Sequence, residues 1–265
     1  MKNKVINLMA AAIFLTAACN KEGRVTGVDI EYDAVILNIG ESMDLIATVI
    51  PANAKEKTVY WWSEKPDFVK VDNAGRITGV AEVSDYLTSG GVRIYAGTKE
   101  GNYQDYCEVI VRSQMIMTTD ITGNASLIIR GDRNLFDVSI DWGDGAGIEK
   151  YFPKSNGELW VSASHAYSNS SIRTITINGS SMLRLECNDL SLTSLDVSNN
   201  TKLISIHCQN NQLSAAALNA LFGTLPSGIE GVSKIVYIYG NPGTDSCEKG
   251  IALHRGWLVN IETEY

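Results

Sequence analysis

Through the first part of the chain, apolar residues recur at every second position in short runs. That is the period of a half-buried strand. Val28 and Ile30, then Val35 to Leu37, open the series, and Gly40-Glu41 turns the chain. Met43, Leu45, Ala47 and Val49 predict one strand with one apolar face, broken at Pro51-Ala52-Asn53-Ala54. Val59 and Trp61 fall on one side of the next run, Tyr60 and Trp62 on the other. Val69 and Val71 precede the turn Asn73-Ala74-Gly75 and Ile77. Val92, Ile94 and Ala96, then Cys107, Val109 and Val111, complete the set. About seven short strands at this spacing predict a β-sandwich. Trp61 is expected in its core. Trp62 points the other way, as a contact residue or one covered by a neighbouring element.

A second pattern begins near Ser181. Three lines align: Met182, Leu185 and Cys187; Leu192, Leu195, Val197 and Asn200; Leu203, Ile206, Cys208, Asn211 and Leu213. Cys187 and Cys208 then stand one full repeat apart, with a half-repeat between them. Repeats of this size predict stacked coils with inward apolar residues. The asparagines are expected to satisfy backbone groups where the coil bends. Ser214 predicts a helix cap, with Leu218, Leu221 and Phe222 inward and Gly223 as the stop. Lys234 to Tyr239 reads as a strand continuing the same sheet, with Val236 on Ile206. Asp245 and Glu248 have capping-box spacing for a second helix ended by Gly256, and Trp257 to Ile261 is the last strand. The fold class is mainly β with a small α/β part. It comprises a sandwich followed by a β-capped repeat solenoid with a helix-strand-helix-strand end.

Composition narrows the function. The 265 residues carry 22 Lys and Arg against 30 Asp and Glu, for a net charge of −8. Nucleic acid, which needs a basic footprint, is not an expected partner. Three His and five Cys leave little material for a metal centre, and no cofactor motif is present. Lys2 and Lys4 precede an apolar stretch, Val5 to Leu15, too short to span a bilayer. Leu15-Thr16-Ala17-Ala18-Cys19 follows. This resembles a lipoprotein signal peptide with Cys19 as the acylated residue, although Thr16 stands where the usual lipobox has Leu. The resemblance implies a membrane attachment through N-terminal lipid.

The remaining resemblances follow from quoted runs. Val25-Thr26-Gly27-Val28, Gly40-Glu41, Pro51-Ala52-Asn53-Ala54, Trp61 with Ser63, and Val69 to Val80 resemble a bacterial immunoglobulin-like (group 2) domain. Glu82 to Gly90 is longer than the usual turn there. Such domains imply reach or binding rather than chemistry. Asp141-Trp142-Gly143-Asp144-Gly145 with His165-Ala166-Tyr167 resembles, in part, a PKD-like β segment. Leu192 to Leu203 resembles the short bacterial leucine-rich repeat. Together these are similar to Bacteroidetes cell-surface lipoproteins. The expected organisation is signal peptide 1–18, lipidated tether 19–24, Ig-like domain 25–112, PKD-like segment 113–180 packed on the repeats, and repeats with their C-terminal cap 181–265.

Candidate chemistry is sparse. Asp141 and Asp144, with His165, offer a carboxylate pair or an oxygen site for Ca²⁺. The simpler use is that both aspartates bond backbone amides of their own turn while His165 and Tyr167 orient the corner. No nucleophile, base and orienter assemble, so no catalytic residue is assigned and the chain is not expected to be an enzyme. Cys187 and Cys208 lie about one strand spacing apart, close enough for a disulfide; two buried thiols are the favoured reading. Alternation places Arg184, Glu186, His207, Gln209, Tyr237 and Tyr239 outward on successive strands. With Trp62 they form the candidate binding face. The expected function is a non-catalytic cell-envelope lipoprotein for adhesion or protein–protein interaction, anchored in the outer membrane and exposed at the cell surface. The alternative is a glycan-binding accessory lipoprotein of a polysaccharide-uptake system.

Overall fold

The computed structural model describes residues 23–82, 91–132, 138–155, 159–227 and 231–262. The expected signal peptide at 1–18, Cys19 and all but Glu82 of the long segment Glu82 to Gly90 lie outside the described residues. The chain divides into two compact units, one ending at residue 111 and the other starting at residue 112. Both are mainly β.

Unit 1 contains β1 (Gly27–Ile30), β2 (Ala34–Asn38), β3 (Ser42–Asp44), β4 (Ala47–Ile50), β5 (Val59–Ser63), β6 (Val69–Val71), β7 (Arg76–Gly79), β8 (Val92–Thr98) and the start of β9 (Gln104–Thr119). β5, β8, β9 and β2 form one sheet; β3, β7 and β6 form another; β1 pairs with β4. Their inward residues, among them Val28, Leu37, Leu45, Val69, Ile77, Ile94, Cys107 and Val109, share one buried core. The run from Met43 to Val49 is not one strand. It changes sheet at Leu45-Ile46, because Met43 pairs with Ile77 whereas Val49 pairs with Val28. Alternation continues across the break, so period alone does not reveal it. Trp61 is half-buried, its ring against Gly75, where φ is +88° and a Cβ would stand 2.8 Å from the indole. Burial pushes the Cys107 thiol up to about 12, so it is an inert part of the core.

Unit 2 takes the rest of β9, then β10 (Gly123–Gly131), β11 (Val138–Asp141), β12 (Ile148–Tyr151), β13 (Lys154–Ser155), β14 (Leu159–Tyr167), β15 (Arg173–Gly179), β16 (Met182–Glu186), β17 (Leu192–Asp196) and β18 (Ser205–His207). It ends with helix α1 (Ala215–Thr224), β19 (Lys234–Tyr237), helix α2 (Lys249–His254) and β20 (Trp257–Asn260). β15 and β17 both pair antiparallel with β9. β11 joins the far side of β15, and β12 follows β11. The second sheet runs β13-β14-β10-β16-β18-β19-β20. One apolar core, from Met115 to Trp257, lies under both sheets.

This arrangement corrects the expected solenoid. β16, β18, β19 and β20 are parallel, in the register that puts Val236 on Ile206. They do not form a free-standing coil. They are the parallel half of a mixed sheet whose other half, β13-β14-β10, is antiparallel. The half-repeat strand β17 belongs to the opposite sheet, antiparallel to β9. Each half-period therefore carries the chain from one layer of a two-layer unit to the other. Two helix signals also resolve differently. Gly223 does not stop α1, which continues to Thr224; Pro226 then holds Leu225 extended at ψ 135°. Glu248 makes no side-chain cap on α2. Its own N–H donates instead to Asn219 Oδ1 of α1 at 2.7 Å.

The asparagines fasten the crossings. Asn211 Nδ2 donates to Cys187 O and Cys208 O at 2.9 and 3.0 Å, while its Oδ1 accepts from Leu190 N and Leu192 N. Asn241 repeats the pattern on Cys208 O, Ile238 O and Leu213 N. Asn200, the half-repeat equivalent, is 1% exposed, and its amide meets no partner among the described residues. Removing buried partners costs about 1–3 kcal/mol per orphaned group, whereas removing an unpaired amide costs little. Asn211→Ala is therefore expected to lower the melting temperature by about 10 °C. Asn200→Leu should leave it unchanged or raise it. Thermal unfolding by circular dichroism checks both, and equal losses would contradict the assignment.

Candidate functional site

Strand pairing sets the candidate face of unit 2. Glu186, His207 and Tyr237 are direct cross-strand neighbours in one row, and Arg184, Ser205 and Ile235 in the row before it. Gln209 and Tyr239 lie just beyond the strand ends, where Asp189 N bonds Gln209 O and Asn210 N bonds Tyr239 O. The rings of His207 and Tyr237 stack with centroids 4.2 Å apart. Arg130 of β10 faces Arg184 across the strands and donates diagonally to Glu186 Oε1 at 3.0 Å. The carboxylate thus offsets the Arg130 guanidinium across the strands. Ser205 is buried, so the first row is less open than alternation alone predicts. Tyr239 is exposed, and Leu258 of β20 extends the face beyond Ile235. Sequence alternation does not assign Leu258 to this face, because β20 joins it only through its pairing with β19.

Cys187 and Cys208 are buried free thiols below this face. Each Sγ donates to a carbonyl of the next strand, His207 O and Tyr237 O. Burial pushes both thiols up, Cys208 to about 12.

The Asp141–Asp144 corner is a turn. Asp141 Oδ1 accepts from Gly143 N at 2.9 Å, and Asp144 Oδ1 from Ala146 N at 3.0 Å. Gly143, Gly145 and Gly147 all have positive φ. His165 Nε2 is 2.8 Å from Asp144 Oδ2, and its ring stacks on buried Trp142. Tyr167 donates to Trp142 O at 2.7 Å. Burial pushes its hydroxyl up to about 12, so it stays a donor. Among the described residues, no group of three or more His, Cys, Asp or Glu is arranged to hold a metal ion.

Trp62 belongs to unit 1 and remains 40% exposed. It stacks on Tyr95, centroids 5.1 Å apart and planes 7° from parallel. Tyr95 in turn meets Tyr106 at 5.8 Å. Arg93 lies 4.7 Å over the Tyr106 ring and 3.8 Å from Glu108. Sequence reading singled out Trp62 but missed Tyr95, Tyr106 and Arg93. The signal was present: all three alternate with the buried Val92, Ile94 and Cys107.

Residues 24–109 match the family "Bacterial Ig-like domain (group 2)", and this part of the chain is such a domain. It is 39% identical over 88 residues to an Ig-like virion protein of Serratia phage KSP90, covering 33% of this chain and 31% of the phage protein. It is 34% identical over 87 residues to an uncharacterized protein of Clostridium acetobutylicum, covering 32% of this chain and 20% of that one. The match thus spans less than a third of these relatives' lengths. A bacterial Ig-like domain containing GH10 xylanase from termite gut aligns at 22% identity with a TM-score of 0.22, over 29% of this chain and 18% of that one.

Asp144 links the corner to pH. The Ala146 amide, then His165, hold its carboxyl below the usual range. A depressed carboxylate stabilises the fold above the unfolded value near pH 4 and loses that contribution as pH falls through the folded value. Asp144→Asn is expected to melt below wild type at neutral pH. The gap should close as pH falls through the lowered range of the Asp144 carboxyl. Melting curves across that range check the sign.

Proposed function

We propose that this chain is a non-catalytic cell-envelope lipoprotein for adhesion or protein–protein interaction at the bacterial surface. The carrying observation is the cross-strand row Glu186, His207 and Tyr237, an acidic group, an imidazole and a phenol held in register on one sheet face. Polar and aromatic groups fixed by paired strands suit a specific contact, because little entropy is lost on binding. The Ig-like domain supports a surface or interaction role. In this reading Cys19 carries the lipid, residues 113–180 are the PKD-like segment, and the repeat strands resemble those of Bacteroidetes surface proteins.

Two experiments test it. Substituting Glu186, His207 and Tyr237 together by Ala should reduce binding to immobilised host matrix proteins about thirtyfold, a hot-spot loss of about 2 kcal/mol. The melting temperature should stay nearly constant. Unfolding of the variant, or undiminished capture, would contradict the reading. Cys19→Ala should move the protein from the membrane fraction to the soluble fraction, and unchanged fractionation would contradict the lipid anchor.

A further inference from the structure

The outward face of β5, β8 and β9 in unit 1 is a second surface, independent of the row in unit 2. Trp62, Tyr95 and Tyr106 are direct neighbours across three strands. Strands lie about 4.8 Å apart, so the row is roughly 10 Å long. Tyr60, 50% exposed, stands beside Gly97 rather than a side chain. A Cβ at Gly97 would come within 2.9 Å of the Trp62 ring, so the indole leans over the bare backbone. β5 is the outermost strand of its sheet, which leaves the indole at the rim. Tyr106 is 42% exposed at the other end of the row.

We propose that this face binds a neutral polysaccharide, with pyranose rings against the Trp62–Tyr95–Tyr106 row. The C–H edges of a sugar ring carry partial positive charge and meet the negative faces of aromatic rings. Its hydroxyl groups need donors and acceptors beside those rings, and Arg93 and Glu108 supply one of each in the adjacent cross-strand pair. The pair is 3.8 Å apart, so the two charges offset each other and the face favours an uncharged ligand over a polyanion. The row is about two sugar rings long. The outward positions of β5, β8 and β9 from Tyr60 to Trp62, Arg93 to Gly97 and Gln104 to Glu108 hold no aliphatic side chain. A protein partner packed on the row would have to desolvate Arg93 and Glu108 beside it, and charged groups are depleted in the core of protein contacts. A glycan leaves them hydrated.

The test is native electrophoresis of the full chain in gels containing xylan, mannan, starch or mixed-linkage β-glucan, with alginate as the polyanion. At least one neutral polysaccharide should retard the protein. Trp62→Leu, which keeps apolar cover over Gly97 but removes the ring, should weaken that retardation at least about tenfold at unchanged melting temperature. Should Trp62→Leu fail to fold, Tyr106→Ala carries the same expectation. The triple Ala variant at Glu186, His207 and Tyr237 should be retarded like wild type, which separates this site from the one in unit 2. Retardation by none of the neutral polysaccharides, or by alginate alone, overturns the proposal. So does equal retardation of the ring variants. Concentration-dependent self-association abolished by Trp62→Leu, without glycan retardation, would identify a second copy of the chain as the occupant instead.

Discussion

The architecture of unit 2 depends on satisfying backbone groups where the chain leaves one layer for the other. Each crossing exposes carbonyl and amide groups that the strands no longer pair, and their burial without partners is costly. The side-chain amide of Asn211 meets this need with two donors and one double acceptor, joining Cys187, Cys208, Leu190 and Leu192. Asn241 does the same one strand further on. No other side chain of this size offers both polarities in one plane. With the crossings fixed, Leu185, Ile206 and Val236 stack over the apolar layer that β9, β15 and β17 supply.

Fixed crossings also fix what the outer surface displays. A strand whose inward residue is set presents its alternate residues outward in a set order. Glu186, His207 and Tyr237 become a row because Leu185, Ile206 and Val236 are a row. The same logic in unit 1 aligns Trp62, Tyr95 and Tyr106 above a core that holds Ile94 and Cys107. Both faces place aromatic groups beside charged ones, Arg130 with Glu186 and Arg93 with Glu108. In the proposed reading both faces bind without a catalytic group, and their specificity comes from the spacing that the sheet imposes.

Some features were legible in the residues. The sandwich followed from strand spacing, and the resemblance of runs such as Val69 to Val80 to the group 2 Ig-like domain agrees with the family match over residues 24–109. The turn at Asp141–Gly145 followed from Asp and Gly chemistry, and the bonds to Gly143 N and Ala146 N are those such turns make. The register of Val236 on Ile206 followed from reading Lys234 to Tyr239 as a continuation of the repeat strands. Other features were not legible. Met43 to Val49 keeps its period while changing sheet, since alternation records which side is buried and not which strand lies alongside. Trp62 could be placed outward, but Tyr95 and Tyr106 join it only once β8 and β9 are paired.

The sequence by itself determined which side of each strand is apolar, where the chain turns, and which asparagines are available to close a coil. These are local properties, set by the period of the backbone and by the hydrogen-bonding capacity of each side chain. Tertiary structure alone decided that the repeat strands complete a mixed two-layer unit rather than a separate coil. β16 finds its neighbour in β10 and β17 finds its own in β9, strands that precede them by more than fifty residues. Free strand edges on both layers must be paired, and the partners able to pair them are a matter of long-range geometry.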